Sequence, residues 1–134
     1  MNASEIVDQM FSNDSFSQWM GLERLEERSG YCRLRMTVRP EMCNGFGIAH
    51  GGITYSLADS ALAFASNSQG RHALSITTSI QHLAQVQPGD VLTAEAHEEH
   101  LSRRIAQYRV TVHNGNDQLV ALFQGTVYRS SREW

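Results

Sequence analysis

NGFGIAHGGITYSLADSALAFASNSQG, residues 44–70, is the stretch that decides the fold. Its first nine residues hold four glycines and one histidine, and small and apolar residues follow. At 3.6 residues per turn, this later part is apolar around nearly its whole circumference, which is typical of a helix buried at the centre of a domain. The sequence therefore predicts a central helix from residue 51 to about residue 67, with one carboxylate, Asp59, inside it.

The segments on either side of this helix predict strands. Residues 4–14 are amphipathic and predict a short first helix with Ser4 as its cap. Residues 22–38 alternate around a turn at Ser29-Gly30 and predict two strands. Four β-rich segments follow the central helix, at residues 72–86, 91–101, 104–114 and 119–130. One dominant helix with segregated strands predicts an α+β fold, in which an antiparallel β-sheet wraps around the helix.

Length and composition limit the class of protein. The 134 residues, 41% of them hydrophobic, predict a single domain over residues 1–134. The net charge of −3 argues against a general nucleic-acid-binding surface. No signal peptide and no apolar run of about 18 residues is present, so we expect a cytoplasmic protein without a membrane partner. Cys32 and Cys43 form no CxxC pair and are expected to be reduced thiols.

The start of the central helix has the chemistry of an oxyanion hole. A helix N-terminus carries unpaired N–H groups and partial positive charge, and Gly51 and Gly52 place no side chain in front of them. Such donors stabilise a carbonyl oxygen that gains charge during acyl transfer. Asn44 could hold water, a carbonyl or its own loop, and His50 could contact the same oxygen or fix the turn. Glycines that only form a turn explain the pattern equally well.

Asp59 lies eight positions beyond Gly51, which is about 12 Å along a helix axis. One carbonyl cannot touch both groups. If both serve one site, two chains must meet with their central helices antiparallel, which predicts a homodimer with active sites at the interface. A paired core acid or a solvent-facing acid is the alternative explanation of Asp59. Burying a carboxylate costs free energy, however, and perturbed carboxylates gather at functional sites.

Residues 44–70 resemble the signature of the hotdog-fold acyl-CoA thioesterases, and most of all the phenylacetate-degradation (PaaI-type) group. The residues on that frame are Asn44, Gly47, His50, Gly51, Gly52 and Asp59. The later VALFQGTVYR strengthens a likeness that extends from about residue 16 to residue 130. The resemblance implies hydrolysis of acyl-CoA, with an aromatic acyl group such as phenylacetyl or hydroxyphenylacetyl. It also implies a homodimer that pairs into a homotetramer, and no cofactor, because CoA is part of the substrate.

The resemblance also implies roles for individual residues. Asp59 is the general base or the nucleophile, and the Gly51 N–H of the other subunit polarises the thioester carbonyl, with Asn44 and His50 assisting. A Ser or Thr on the strand after the helix helps to place the water or the acid. Ser75 and Thr77, expected on one face, are the candidates, and Ser75 is preferred. Gly52 is a further candidate for substrate binding. Independently of the resemblance, Arg103 and Arg104 at a turn between strands could meet the CoA phosphates or be solvated turn charges. Phe46 could line an acyl pocket, and packing in the core or at an interface explains it equally well.

The chain departs from the family pattern on the strand after the helix. His82 stands where the family often has an aromatic residue, and the usual nearby proline is absent from QHLAQVQPGD. This departure concerns the acyl pocket or the CoA edge and leaves the catalytic pair intact.

Three other interpretations compete with this one. A hotdog hydratase or dehydratase would use a histidine with an acid to move a proton next to the carbonyl. A non-catalytic acyl-CoA binding module would keep the pocket without needing Asp59. The segment HEEH suggests a metal, but strand alternation predicts that His97 and His100 point to opposite faces, so no metal site is expected.

Overall fold

The computed structural model describes residues 1–134 as three α-helices and six β-strands. The helices are α1 (Ala3–Ser12), α2 (Ser15–Trp19) and α3 (Gly51–Asn67), with a short 3-10 helix at Pro40–Met42. The strands are β1 (Glu23–Arg28), β2 (Tyr31–Thr37), β3 (Arg71–His82), β4 (Val91–Leu101), β5 (Ile105–His113) and β6 (Leu119–Glu133). None of the helices combines the length and the hydropathy that a membrane span requires.

All six strands form one antiparallel sheet in the order β1-β2-β4-β5-β6-β3. Helix α3 packs against every one of these strands, so the sheet wraps around it. The predicted α+β architecture is confirmed, as are the central helix at residues 51–67 and the β1–β2 pair around Ser29-Gly30.

Helix α3 is buried over most of its length, as its small and apolar residues predict. Ten of its 17 residues are buried. Beyond Gly51 at the start of the helix, the less buried positions lie three or four residues apart and form one stripe, which we call the open stripe of α3: Gly52, Tyr55, Ser56, Asp59, Ser60 and Ala63. This is the part of α3 that the chain's own sheet leaves partly open, and it contains the single acid of the helix.

Asn67 ties the end of α3 to the start of β3. Its buried amide donates to the carbonyl oxygens of Ala63 and Ala73, at 2.9 and 3.0 Å. Its Oδ1 accepts from the Ala73 N–H and from the Trp134 indole N–H, both at 3.0 Å. Four hydrogen bonds on one buried side chain fix the direction in which β3 leaves the helix.

The N-terminal segment differs in detail from the prediction. Helix α1 begins at Ala3, and its cap is Asn2 rather than Ser4, because Asn2 and Glu5 bond reciprocally in a capping box. The five-residue α2 was not predicted. Its cap is the Asp14 carboxylate, which accepts from the Ser17 N–H at 3.0 Å.

Strand β3 ends at His82, four residues before the predicted end. The N–H groups of Leu83 and Ala84 both donate to the carbonyl oxygen of Val120, so the ladder stops there. The chain then turns, and the Val86 carbonyl accepts from the Ala49 N–H at 2.7 Å. The segment after β3 therefore holds the loop that leads into α3.

Gly125 on β6 gives a test of how tightly the sheet closes on α3. A Cβ at this position would stand 2.6 Å from Cδ2 of Leu62, whose side chain is 1% exposed. We expect Gly125→Ala to lower the free energy of unfolding by about 1–3 kcal/mol, because the packed core cannot take in the methyl group without moving Leu62.

The measurement is urea unfolding, with Gly115→Ala as the matched control. A Cβ at Gly115 would meet nothing within 4 Å, so this variant should stay within about 0.5 kcal/mol of wild type. Equal stabilities for the two variants would contradict close packing of α3 against β6.

Candidate active site

The N-terminus of α3 is capped by a side chain that leaves one amide free. Nδ1 of His50, the N-cap residue, accepts from the Gly52 N–H at 3.1 Å. The Gly51 N–H has no hydrogen-bond partner in the chain. His50 therefore fixes the turn, and of the two glycine amides only that of Gly51 is available to a ligand oxygen.

Asn44 holds the loop in front of this terminus. Its Oδ1 accepts from the Phe46 N–H at 2.9 Å, and its backbone N–H donates to the Ile48 carbonyl at 2.8 Å. The amide NH₂ of Asn44 has no partner in the chain and remains available. Phe46 lies at the tip of the loop and is 90% exposed, so within one chain it does not wall a cavity.

Gly51 and Asn44 lie on the wall of one cavity of about 360 Å³. Thr54 and His82 line the same cavity, together with a mainly apolar set: Ile48, Ala49, Leu83, Ala84, Val86 and Val120. Residue identity alone carries no signal for Thr54. The sequence marks His82 only as a departure from the family pattern.

Asp59 carries an unpaired carboxylate on the open stripe of α3. It makes no hydrogen bond and no ion pair within the chain, and its partial burial raises the pKa of the carboxyl above its ordinary value. It faces a second cavity, of about 140 Å³, which Ser75, Leu62 and Val127 also line. The structure thus brings Asp59 and Ser75 together and keeps both apart from the cavity of Gly51.

The prediction that Ser75 and Thr77 share a face is wrong. The pairing of β3 with β6 runs from Ser75–Val127 directly to Thr77–Thr126, so Ile76 is the extra residue of a β-bulge. Ser75 shares the face of buried Val127, whereas Thr77 is turned to the outer face of the sheet.

Thr78 takes the inner position after the bulge. Its Oγ1 lies 2.5 Å from the hydroxyl of Tyr55 on α3. This contact links β3 to the open stripe of α3 between the two cavities, and no pattern in the sequence indicated it.

Arg103 and Arg104 lie at the opposite end of β3 from His82. The Arg103 carbonyl accepts from the Arg71 side chain at 2.8 Å, and the Arg104 carbonyl accepts from the Arg129 N–H at 2.7 Å. Residues 71 and 82 are separated by 11 steps of a strand, about 36 Å. Within one chain these arginines are therefore remote from the Gly51 cavity.

His97 and His100 share the outer face of the sheet, contrary to the prediction. A second bulge, between Glu98 and His100, pairs His97 with Arg109 and His100 with Gln107, so the alternation shifts by one residue. No three His, Cys, Asp or Glu side chains come together as a possible metal site.

Known proteins share both the sequence and the fold of this chain. The model of the thioesterase superfamily matches residues 46–121. The acyl-coenzyme A thioesterase PaaI of Escherichia coli K12 is 36% identical over 120 residues, which is 90% of this chain and 86% of that protein.

Two solved structures show the same architecture. The E. coli PaaI protein from the phenylacetic acid degradation operon superposes with a TM-score of 0.95 at 34% identity, covering 98% of this chain and 95% of that one. The TT0310 protein of Thermus thermophilus gives a TM-score of 0.85 at 41% identity, covering 88% and 99%. The chain therefore belongs to the thioesterase superfamily, as a hotdog-fold enzyme of the PaaI type.

Proposed function

We propose that this protein hydrolyses acyl-CoA thioesters to a free acid and CoA. The observation that carries the proposal is a pair of unpartnered groups on α3: the Gly51 N–H at its start and the Asp59 carboxylate on its open stripe. A donor without an acceptor and a carboxylate without a cation are costly unless a substrate uses them. Membership of the thioesterase superfamily supplies the reaction class.

The two groups have complementary roles in this reaction. The Gly51 N–H holds the thioester carbonyl oxygen and stabilises the charge that forms there. Asp59 either takes a proton from the attacking water or attacks the carbonyl carbon itself. In the second case a mixed anhydride forms as CoA leaves, and water then hydrolyses it. His50 and Asn44 keep the N-terminus and its loop in place.

Both groups reach one substrate only if two chains combine. Gly51 and Asp59 are eight residues apart on one continuous helix, about 12 Å along its axis, and they face different cavities. An antiparallel pair of α3 helices would place the Gly51 end of one chain opposite Asp59 of the other. The proposed assembly is thus a homodimer with two interfacial sites, and by resemblance to the family two dimers form a tetramer.

The two edges of the sheet support this assembly. Edge strand β1 is protected by charge, since five of its six residues are Glu or Arg. Edge strand β3 has no acidic residue and exposes Leu74 and Ile76, at 79% and 59%. A long unpaired edge with exposed apolar side chains favours pairing with a second chain, and α3 runs beside that edge.

The proposed acyl group is aromatic, of the phenylacetyl or hydroxyphenylacetyl type. The likeness to a protein from the phenylacetic acid degradation operon supports it, and the wall of the Gly51 cavity includes apolar side chains such as Ile48, Leu83 and Val120. In an antiparallel dimer the Arg71 end of β3 approaches the His82 end of the other β3. Arg103 and Arg104 of the second chain are therefore candidates for the CoA phosphates.

Asp59→Asn tests the function directly. Release of CoA is measured with phenylacetyl, hydroxyphenylacetyl, benzoyl, short-chain and long-chain esters. We expect wild type to prefer an aromatic ester, and the variant to lose about 10²–10⁴-fold in kcat, because an amide can act neither as base nor as nucleophile. Near-normal turnover in the variant would contradict the role of Asp59. Tight binding of esters without any hydrolysis by wild type would favour the binding-module alternative.

Thermal unfolding of the same variant is the control for folding. The raised pKa means that the folded chain holds a proton that the unfolded chain has already released. The free energy of unfolding therefore falls as the pH rises from the pKa of Asp59 in the unfolded chain to its higher pKa in the folded chain. Asp59→Asn should be at least as stable as wild type at neutral pH, so its loss of activity cannot be attributed to unfolding.

The pH dependence of kcat/KM gives an independent test. Either role of Asp59 requires the carboxylate, and burial raises its pKa above the ordinary value of about 3.9. Activity should therefore fall on acidification with a midpoint above about pH 3.9, while the protein remains folded by circular dichroism. Full activity down to about pH 4 would show that no raised carboxyl controls the reaction.

Gly51→Pro tests the oxyanion donor. Proline lacks the N–H but is tolerated at the first position of a helix, and the ψ of 136° at His50 suits a residue before proline. We expect kcat to fall about 10²–10³-fold. The matched control Gly51→Ala adds a Cβ but keeps the N–H, and its kcat should fall much less than that of Gly51→Pro.

Co-expression of Gly51→Pro and Asp59→Asn chains extends this test to the shared site. In a mixed dimer both defects fall in one site and the other site is intact. Random pairing makes half of the dimers mixed, so about a quarter of wild-type activity should return. No recovery, from mixed dimers isolated with two different tags, would place both groups in a site within one chain.

A further inference from the structure

His82 stands directly over Gly51. It is the last residue of β3 and pairs with Ala121, whose side chain is buried, so its ring is on the inner face of the sheet. A Cβ at Gly51 would lie 3.3 Å from Nε2 and 3.5 Å from Cε1 of His82. The imidazole thus borders the space that the missing side chain of Gly51 leaves open.

Neither ring nitrogen of His82 has a hydrogen-bond partner in the chain, although the ring lines the 360 Å³ cavity. The Gly51 N–H is on the same wall and is also without a partner. The chain's own fold does not use these groups, which leaves them available to whatever enters the cavity.

The spacing of the two groups suits a single oxygen atom. A Cβ stands about 2.5 Å from the nitrogen of its own residue, so Nε2 of His82 lies within about 6 Å of the Gly51 nitrogen. Two donors that each hold one oxygen at about 2.9 Å are also at most about 6 Å apart. An oxygen placed between them can therefore accept from both.

We propose that the Nε2–H of His82 is a second donor to the thioester carbonyl oxygen held by the Gly51 N–H. This inference rests on the proposed acyl-CoA hydrolysis. As the carbonyl carbon becomes tetrahedral, its oxygen gains negative charge and both hydrogen bonds strengthen. When the C=O bond re-forms and the CoA thiolate leaves, both donors keep their protons. His82 takes part through its Nε2–H alone, and the step requires nothing of its Nδ1.

The test compares His82→Phe with His82→Gln, using the ester that wild type hydrolyses fastest. Phenylalanine keeps the ring but removes both nitrogens, and we expect kcat to fall about 10²-fold with KM within about threefold. Glutamine carries an N–H donor at nearly the distance of Nε2, and kcat should stay within about tenfold of wild type. The matched control is His113→Phe, at the last residue of β5, and its kcat and KM should equal those of wild type.

A direct measurement uses a CoA ketone in which CH₂ replaces the thioester sulfur. This analogue keeps the carbonyl oxygen but cannot be cleaved. In protein labelled with ¹⁵N at histidine, its binding should shift the Nε2 resonance of His82 and leave that of His113 in place.

The outcomes separate this inference from the function on which it rests. Hydrolysis by wild type that is lost in Asp59→Asn but kept in His82→Phe would overturn the role of His82 alone. A change in KM without a change in kcat would do the same, because it would show a ring that only packs against the acyl group. Absence of hydrolysis by wild type would overturn both proposals.

Discussion

Enclosure of α3 by a single sheet is the constraint on which the rest of the structure depends. A helix that contacts all six strands must present small or apolar residues on most of its surface, and where the fit is tightest the sheet itself has glycine, as at Gly125 against Leu62. Polar groups of α3 that lack a partner in the chain then lie in two places: at the N-terminus of the helix and on the open stripe that contains Asp59. The candidate active site follows from this arrangement, since the free Gly51 amide lies at the first place and the unpaired Asp59 carboxylate at the second.

The central helix and most strands could be predicted because their signals are local. Glycines before a run of small residues mark the start of α3, and period-two alternation marks β2, β4, β5 and β6. The failures have a different origin. A bulge depends on how two strands pair, which no single segment encodes, and the bulges after Ser75 and Glu98 moved Thr77 and His100 to unexpected faces. Asn2 and Ser4 are both good caps, and the capping box that Asn2 forms with Glu5 decides between them.

The residue types of the candidate site could be predicted from the sequence, but which of its groups are free to meet a ligand could not. The sequence indicated that Gly51, Gly52 and His50 act at one helix terminus. Only the structure shows that His50 occupies the Gly52 amide and so leaves Gly51 as the free donor. The sequence also set Asp59 beyond the reach of Gly51, and the two separate cavities agree with that spacing. His82 could not be placed over Gly51 from the sequence, because its position depends on the bulge six residues earlier.

The bulge at Ile76 makes the number of residues in β3 matter more than their identity. Beyond it, Thr78, Ile80 and His82 face the helix because the bulge adds one residue and shifts the alternation of the strand by one position. Deletion of Ile76 would leave a regular ladder in which His82 still pairs with Ala121. Deletion of a residue after the bulge, with the bulge kept, would turn the remainder of the strand over and send His82 to the outer surface, whereas most point substitutions there would act locally. When this strand is aligned with those of relatives, a misplaced one-residue gap would exchange inward and outward positions. Equivalence in β3 should therefore be assigned from strand pairing with β6.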